Sequence, residues 1–534
     1  MLIRASQINR NGETCYDLCI VGSGAAGMAL ASQFWDEKRS ICMIESGTRS
    51  PKSRYQSLNH AECVGLPYDT VESRCRALGG TLNVWGGRCA PLDLIDFQPR
   101  PWIPHSGWPI DFDQLRPYYV QATEFLGSRE GIASFDEITD TYERSIEKIC
   151  IPNHEFDRKP FLLLGSYAFS HAKQLRRKVI ESENVDCIIE GTVVEIIQDE
   201  NGKITQVILK LLGSDETLKV CAKAFVICAG GLETPRLLLA SQRKSTKGIG
   251  NSNDIVGRFF MDHPRIRSTI FSLPHAVRVP ILTQAAVGFK GLQIAFTVKN
   301  ELQEELEIGN CSFFLNPMSI DVEDRVLKSL QAIHQSTSVT GGLPKGFSEA
   351  RLALVRRLRS CWRQTPGHLR FCIEHIASLS KFKHLTVVTK IEQFPNPASR
   401  ITLAQDKDEF SMPKIRLDWR IDERERDRIA RFHNMIKSTF QREGHRTETL
   451  SFLGPDDDYI YQDSSHPMGT TRMSDDPRTG VVDRDLKVFD IPNLFICSSS
   501  VFPTAGNANP TLTIIALAKR LGDHLENQFA LGRF

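Results

Sequence analysis

The chain has no apolar run that reaches the ~18 residues a membrane-crossing helix needs; Thr513–Ala518 and Val226–Ala229 are only core-strand or core-helix size. Net charge is almost absent too. Lys and Arg number 66 against 64 Asp and Glu, which leaves +2. Neutralising phosphates takes a net basic surface, so wrapping nucleic acid is excluded as the main task. The fourteen cysteines, spread from Cys15 to Cys497, include no C-x-x-C pair and no repeated spacing. That pattern speaks for buried free thiols in a reducing compartment rather than disulfides or zinc, and no metal site is expected. A secretion signal is missing from the first twenty residues, where Arg4 and Arg10 lead into polar Asn11-Gly12-Glu13-Thr14. Cytoplasm is the expected location. No internal repeat or low-complexity tract is found.

What is present suits a large folded protein. The 534 residues are 41% hydrophobic and 24% charged, enough for a substantial core and worth three to four domains on a ~150-residue prior. Tyr16–Val21 reads as a buried strand, Gly22–Gly27 as a turn, Met28–Glu37 as a helix and Ser40–Ile44 as a second strand ending at Glu45. Later, Cys187–Ile189 and Val193–Ile197 read as strands, and Asn201-Gly202 marks a hairpin before Val207–Leu211. Leu218–Cys221 and Phe225–Cys228 read as two more short strands, after which Gly230-Gly231 opens a helix. Helices are also expected at Tyr118–Phe125, near 422–442 and from Leu512 to Leu525. Between Arg351 and Lys390 stand nine Lys/Arg against one acid, Glu374. The expectation there is a solvated helix face, in preference to a peripheral membrane contact.

Gly22-Ser23-Gly24-Ala25-Ala26-Gly27 lies directly after a strand and opens a helix, the context in which G-x-G-x-x-G signals dinucleotide binding. Gly22 permits the tight turn, Gly24 lets backbone amides approach a pyrophosphate with Ala25 beside it, and Gly27 lets helix and strand pack closely. Glu45, 23 residues after Gly22, is placed to accept hydrogen bonds from ribose hydroxyls and to repel a 2′-phosphate. On these residues FAD and NAD both stay open.

Further motifs follow in order. They are Gly79-Gly80-Thr81-Leu82-Asn83-Val84-Trp85-Gly86-Gly87, Gly230-Gly231-Leu232-Glu233-Thr234-Pro235-Arg236, and Val256-Gly257-Arg258 through Asp262-His263-Pro264. The C-terminal part adds His466-Pro467-Met468-Gly469-Thr470, Val481-Val482-Asp483, Ser498-Ser499-Ser500 and Asn507-Ala508-Asn509-Pro510-Thr511. In this order the set resembles the glucose-methanol-choline (GMC) family of flavin oxidoreductases, strongly over roughly 16–100, 220–265 and 460–530 and weakly between. Ser106-Gly107-Trp108-Pro109 and the stretch after Asp113 look like the bacterial branch acting on sugars, polyols and glycosides.

The resemblance implies a mixed α/β fold. A Rossmann-type FAD-binding domain would be assembled from discontinuous segments, 1–100, 181–265 and 460–534. A substrate domain of mostly antiparallel sheet and helices would come from 101–180 and 266–459. It implies that Gly22, Gly24 and Gly27 take the diphosphate and Glu45 the adenosine ribose, that Gly79, Gly80 and Asn83 pass along the isoalloxazine, and that Val194 lies by the adenine. Ser499 and the amides of Pro510 and Thr511, at the start of the last helix, would reach the flavin. Some sugar-oxidising relatives carry a flavin-linking His just before the Trp of this loop; Val84 stands there, so non-covalent FAD is expected. Ser498 replaces a common Asp, which leaves a side-chain role at that position in doubt.

The implied reaction is oxidation of an alcohol by hydride transfer. A base near the carbinol oxygen lowers the barrier, and a neutral imidazole suits that near pH 7. His466 matches the family's base and Asn509 its partner, with Asn507 the competing assignment. His263 is expected to fix a turn, as is Asp483. The substrate is a small alcohol or sugar; the electron acceptor, whether oxygen, a quinone or a cytochrome, is open. A nicotinamide-dependent dehydrogenase is the rival reading, along with a non-catalytic relative that keeps FAD for stability.

Overall fold

The computed structural model describes residues 1–8, 15–35, 38–127, 151–152, 154–277, 286–287, 290–317, 382–449 and 461–534. Most of the basic stretch 351–390 therefore lies outside the described residues. Two eight-stranded sheets and a three-stranded sheet organise the rest.

Apolar strands that alternate with a glycine turn and a helix must be buried on both faces, which is the pattern of a parallel sheet. The first sheet runs β1 (Leu2–Arg4), β7 (Val185–Ile189), β3 (Ile41–Ile44), β2 (Cys15–Val21), β10 (Thr217–Ile227), β9 (Ile204–Leu211), β8 (Gly191–Gln198), with β19 (Leu494–Ile496) beside β10. From β1 to β10, and between β10 and β19, every pairing is parallel; β9 and β8 add an antiparallel edge. Leu18, Cys19, Ile20, Ile41, Cys42 and Met43 are fully buried, as the apolar runs require. The helices Ala25–Ala31 and Thr511–Ala530 pack against each other, and the latter also packs on Phe112–Phe125. Gly27 is obligatory in this unit, because a Cβ there would sit 1.9 Å from the Gly22 carbonyl oxygen.

One local expectation fails. The two short strands read at 218–221 and 225–228 are a single strand, β10, eleven residues long. Its early residues pair with β9 and its last three with β19, so a change of partner was mistaken for a break.

The second sheet is antiparallel throughout. Its order is β18 (Arg446–Thr449), β11 (Arg265–Val277), β15 (Phe382–Lys390), β14 (Ser312–Pro317), β13 (Lys290–Val298), β6 (Phe156–Leu163), β5 (Arg88–Cys89), with β12 (Ala286–Val287) on β13. The helix Glu423–Arg442 starts at Asp422, whose carboxylate accepts the Glu425 N–H at 2.8 Å, and covers β11 and β18. Phe271 stacks on Phe440 at 4.3 Å, and Phe296 on Phe313 at 5.2 Å. Here the basic-run reading is corrected: Phe382–Lys390 is a strand, and Lys390 is buried. Its β-branched core, Thr386-Val387-Val388-Thr389, overrides the charge count. The third sheet joins β16 (Arg400–Lys407), β17 (Pro413–Asp418) and β4 (Glu62–Cys63).

The segment after 460 stitches the two large sheets together. Gln462 exchanges backbone hydrogen bonds with Arg265, Met468 with Met261, and the Gly469 and Thr471 N–H groups donate to Ser499 and Ser500 carbonyls. Among the described residues every cysteine is free, no helix is long and apolar enough to cross a membrane, and no cluster of metal-ligating side chains occurs.

Candidate active site

In a parallel sheet the loops after the strands converge on one edge, and that edge is where ligands bind in open α/β folds. The rule holds here residue by residue. A cavity of about 500 Å³ is lined by Gly22, Ser23, Gly24 and Ala25 after β2, Glu45 after β3, Gly191–Val193 after β7, Cys228–Gly231 after β10, and Ser498 and Ser499 after β19. Gly80, Leu82, Val84 and Trp85 form another wall, and His466, Asn509, Pro510 and Thr511 the far end.

Sequence-predicted residues divide into those that line this space and those that shape it. Gly27, Gly79 and Asn83 do not line it. The Gly79 N–H donates to Ser23 Oγ at 3.1 Å, and Asn83 braces its own loop by donating to the Leu78 and Gly80 carbonyls while accepting from Arg176. Val194 is also off the wall. The cavity follows only the start of β8, at Thr192 and Val193, and the strand has left it by the next residue. Glu45 lines the cavity and holds the turn as well: its carboxylate accepts the Ser23 O–H at 2.6 Å and the Gly47 N–H at 2.8 Å. Burial pushes its pKa up, and those hydrogen bonds pull it back.

These residues fit a dinucleotide cofactor. At the cradle two backbones touch, since a Cβ on Gly80 would lie 2.7 Å from the Gly24 Cα. A wall of glycines next to a buried carboxylate is what close approach of a pyrophosphate and a ribose demands. The cavity's size is within the roughly 300–1,000 Å³ of small-molecule and cofactor sites.

At the far end His466 and Asn509 meet, with Nδ2 of the amide 3.2 Å from Nε2 of the ring. Asn507, the competing assignment, turns away: it donates to Asp93 and Asn310 and accepts from Lys159, and is itself fully buried. His466 is held through its main chain. Asp262 accepts the His466 N–H at 3.1 Å and the Ser464 N–H at 3.1 Å, and its own pKa is pushed up to about 7 by burial and by nearby Asp463. Asp483 orders its own turn, accepting the N–H groups of Asp485 and Lys487. Ser498 Oγ accepts the Ser500 N–H at 3.2 Å.

Two participants were missed. His263 does more than fix a turn, for its Nδ1 lies 3.0 Å from Nδ1 of His466 and its Nε2 3.1 Å from the Ala505 carbonyl. Burial, reinforced by Lys390, lowers its pKa to about 4. Lys390 donates to Asn509 Oδ1 at 2.6 Å and lies 5.5 Å from the ring centres of Phe161 and Phe314. Desolvation first, then Arg88, Arg265 and Lys159, lower its pKa well below the lysine norm. The strand-like sequence around Lys390 was the available signal. For His263 there was none, since the contact spans 203 residues.

A family model described as GMC oxidoreductase matches residues 395–518, the stretch that carries His466 and Asn509. The chain is 32% identical over 484 residues to C-glycoside 3-oxidase of Microbacterium trichothecenolyticum, covering 87% of this chain and 77% of that one. It is 29% identical over 343 residues to 2-methyl-1,2-propanediol dehydrogenase of Mycolicibacterium austroafricanum, covering 63% of this chain and about half, 54%, of that relative. The fold is shared with pyridoxine 4-oxidase from Mesorbium loti at a TM-score of 0.60 and 16% identity, over 96% of this chain and 99% of that one. The class these findings define is an FAD-dependent oxidoreductase acting on CH–OH groups, which displaces the nicotinamide reading. Within that class, the chain belongs to the GMC oxidoreductases.

Proposed function

We propose that the enzyme oxidises a secondary or primary hydroxyl of a carbohydrate or glycoside, with His466 as base, Asn509 as its partner and FAD held without a covalent bond. The observation that carries this reading is the 3.2 Å contact between His466 and Asn509 on the wall of the same cavity that the glycine cradle lines. FAD, when bound, supplies the hydride acceptor. His466 takes the hydroxyl proton at Nε2 as the C–H bond gives up its hydride and the carbonyl forms. Asn509 donates an amide hydrogen to the substrate oxygen and holds it against the ring. Arg88, Arg265, Ser464 and Ser465 also line the cavity, a polar wall suited to a substrate with several hydroxyls. The name of the glycoside-oxidising relative supports that substrate class.

At the position that links flavin in some relatives, Val84 offers no nucleophile, which supports a non-covalent cofactor. The strands of the first sheet come from 2–44, 185–227 and 494–496, and those of the antiparallel sheet from 88–89, 156–163 and 265–449, in support of a discontinuous FAD-binding domain and a separate substrate domain. The free thiols among the described residues support a reducing, cytoplasmic setting.

The test is anaerobic bleaching of the flavin with a panel of sugars, glycosides and aliphatic alcohols, followed by reoxidation with oxygen or a quinone. His466→Ala is expected to keep the yellow colour and slow bleaching by ~10²–10⁴-fold, the scale of a lost general base. Equal rates would remove His466 from the reaction. Flavin released on denaturation without proteolysis supports the non-covalent assignment; flavin that stays with the chain overturns it.

A further inference from the structure

Four side chains form one hydrogen-bonded line through the site, His263–His466–Asn509–Lys390. Oδ1 of Asn509 faces Lys390 Nζ at 2.6 Å, and an amide oxygen accepts from a charged or a neutral amine alike, which leaves Nδ2 to face His466. An amide nitrogen has donors only, so Nε2 of His466 accepts and carries the lone pair. A neutral imidazole keeps one proton, which then resides on Nδ1 and is donated to Nδ1 of His263 at 3.0 Å. That makes His263 Nδ1 the acceptor and its Nε2 the N–H, pointing at the Ala505 carbonyl 3.1 Å away. The line closes without a mismatched donor or acceptor.

We infer that His263 and Lys390 are positioning residues that lock the His466 proton onto Nδ1 and keep the basic lone pair on Nε2, beside the substrate oxygen. This rests on the function proposed above and adds the residues that prepare the base. The more common solution tautomer of histidine carries its proton on Nε2, where it would block proton acceptance. Two neighbours therefore hold the ring in the productive form before substrate arrives. His263 is suited to the task because it is fully buried and stays neutral, so its Nδ1 lone pair persists at working pH. Other charged groups face the line as well: Asp262 and Asp463 under the His466 loop, Glu392 beside His263, and Arg88, Arg265 and Lys159 around Lys390.

The decisive measurement is the nitrogen spectrum of the FAD-loaded enzyme grown with ¹⁵N-histidine, the His466 signals being assigned by their loss in His466→Gln. The expected result is a protonated Nδ1 and an unprotonated Nε2 at position 466. Protonation at Nε2 would overturn the inference, and this readout does not depend on any substrate. His263→Leu is expected to shift His466 toward the Nε2-protonated form and slow flavin bleaching by ~100-fold or more while flavin content is unchanged. His263→Gln, which can accept from His466 and donate to Ala505 at once, is expected to restore the Nδ1-protonated spectrum and most of the rate. Wild-type bleaching in His263→Leu would refute the assignment; if that variant fails to fold, the wild-type and His263→Gln spectra decide. A wild-type enzyme bleached by no alcohol would instead sink the proposed function and leave the tautomer result standing.

Discussion

Along the parallel sheet the cavity wall is rich in glycine, with Gly22, Gly24, Gly80, Gly230 and Gly231, and Glu45 is the one carboxylate directly after β2 and β3. Where the antiparallel sheet meets it, the groups that matter are long side chains, Arg265 and Lys390 at paired positions of β11 and β15 and His263 just ahead of β11. A cofactor with fixed shape is met by backbone that has nowhere else to go. In the proposed reaction the His466–Asn509 pair is met by side chains, His263 and Lys390, whose pKa values burial lowers. In the first region a Cβ added at Gly22, Gly80 or Gly231 would meet neighbouring main chain, whereas the second is sensitive to charge and hydrogen-bond partners.

That contrast breaks most sharply at Gly27. Gly27→Val would drive a side chain into the Gly22 carbonyl, and flavin retention should fall by well over tenfold, each tenfold being about 1.4 kcal/mol, in a gel-filtration assay of bound flavin. Full retention would show that the cradle has slack. Phe440→Ala, in the aromatic stack of the other sheet, should cost ~3–5 kcal/mol in denaturant unfolding without changing the wavelength of the bound-flavin band. A shifted band would mean the two regions are more strongly coupled than their separate cores suggest.

A pH experiment probes the second region further. Burial lowers the pKa of His433 from 6.5 to about 3, so the unfolded chain binds a proton there that the folded chain refuses. Stability is then lost as pH falls through that window, at about 1.4 kcal/mol per pH unit for one group. His433→Gln should flatten the decline between pH 6 and 4 by roughly that slope, read from urea midpoints; an unchanged slope would place the acid sensitivity elsewhere. Smallest is Asp422→Ala, which removes a helix cap and should cost about 1 kcal/mol. A larger loss would give Asp422 a role beyond its own helix.

How legible each region was follows from the same contrast. Strand, glycine turn, helix, strand and Glu45 are neighbours in sequence, so the parallel core and its cradle could be read directly. His466 and Asn509 were found through motifs, not through geometry. His263 and Lys390 escaped because each acts on a residue more than a hundred positions away, one disguised as a turn former and the other as part of a charge run. Val194 shows the finer limit: β8 was recognised as a strand, but no pattern of apolar residues says where along it the cavity ends. The doubled reading of β10 has a similar cause, since pairing partners leave no mark on the strand that changes them.

The backbone-on-backbone approach of Gly80 to Gly24 carries a practical lesson for engineering. At Gly80 a Cβ would press on main chain and the backbone is left-handed, so a mutant library aimed at that position would yield mostly dead variants. Diversity is better spent around Arg88 and Arg265, long side chains that line the cavity and can be exchanged without adding atoms to the glycine cradle.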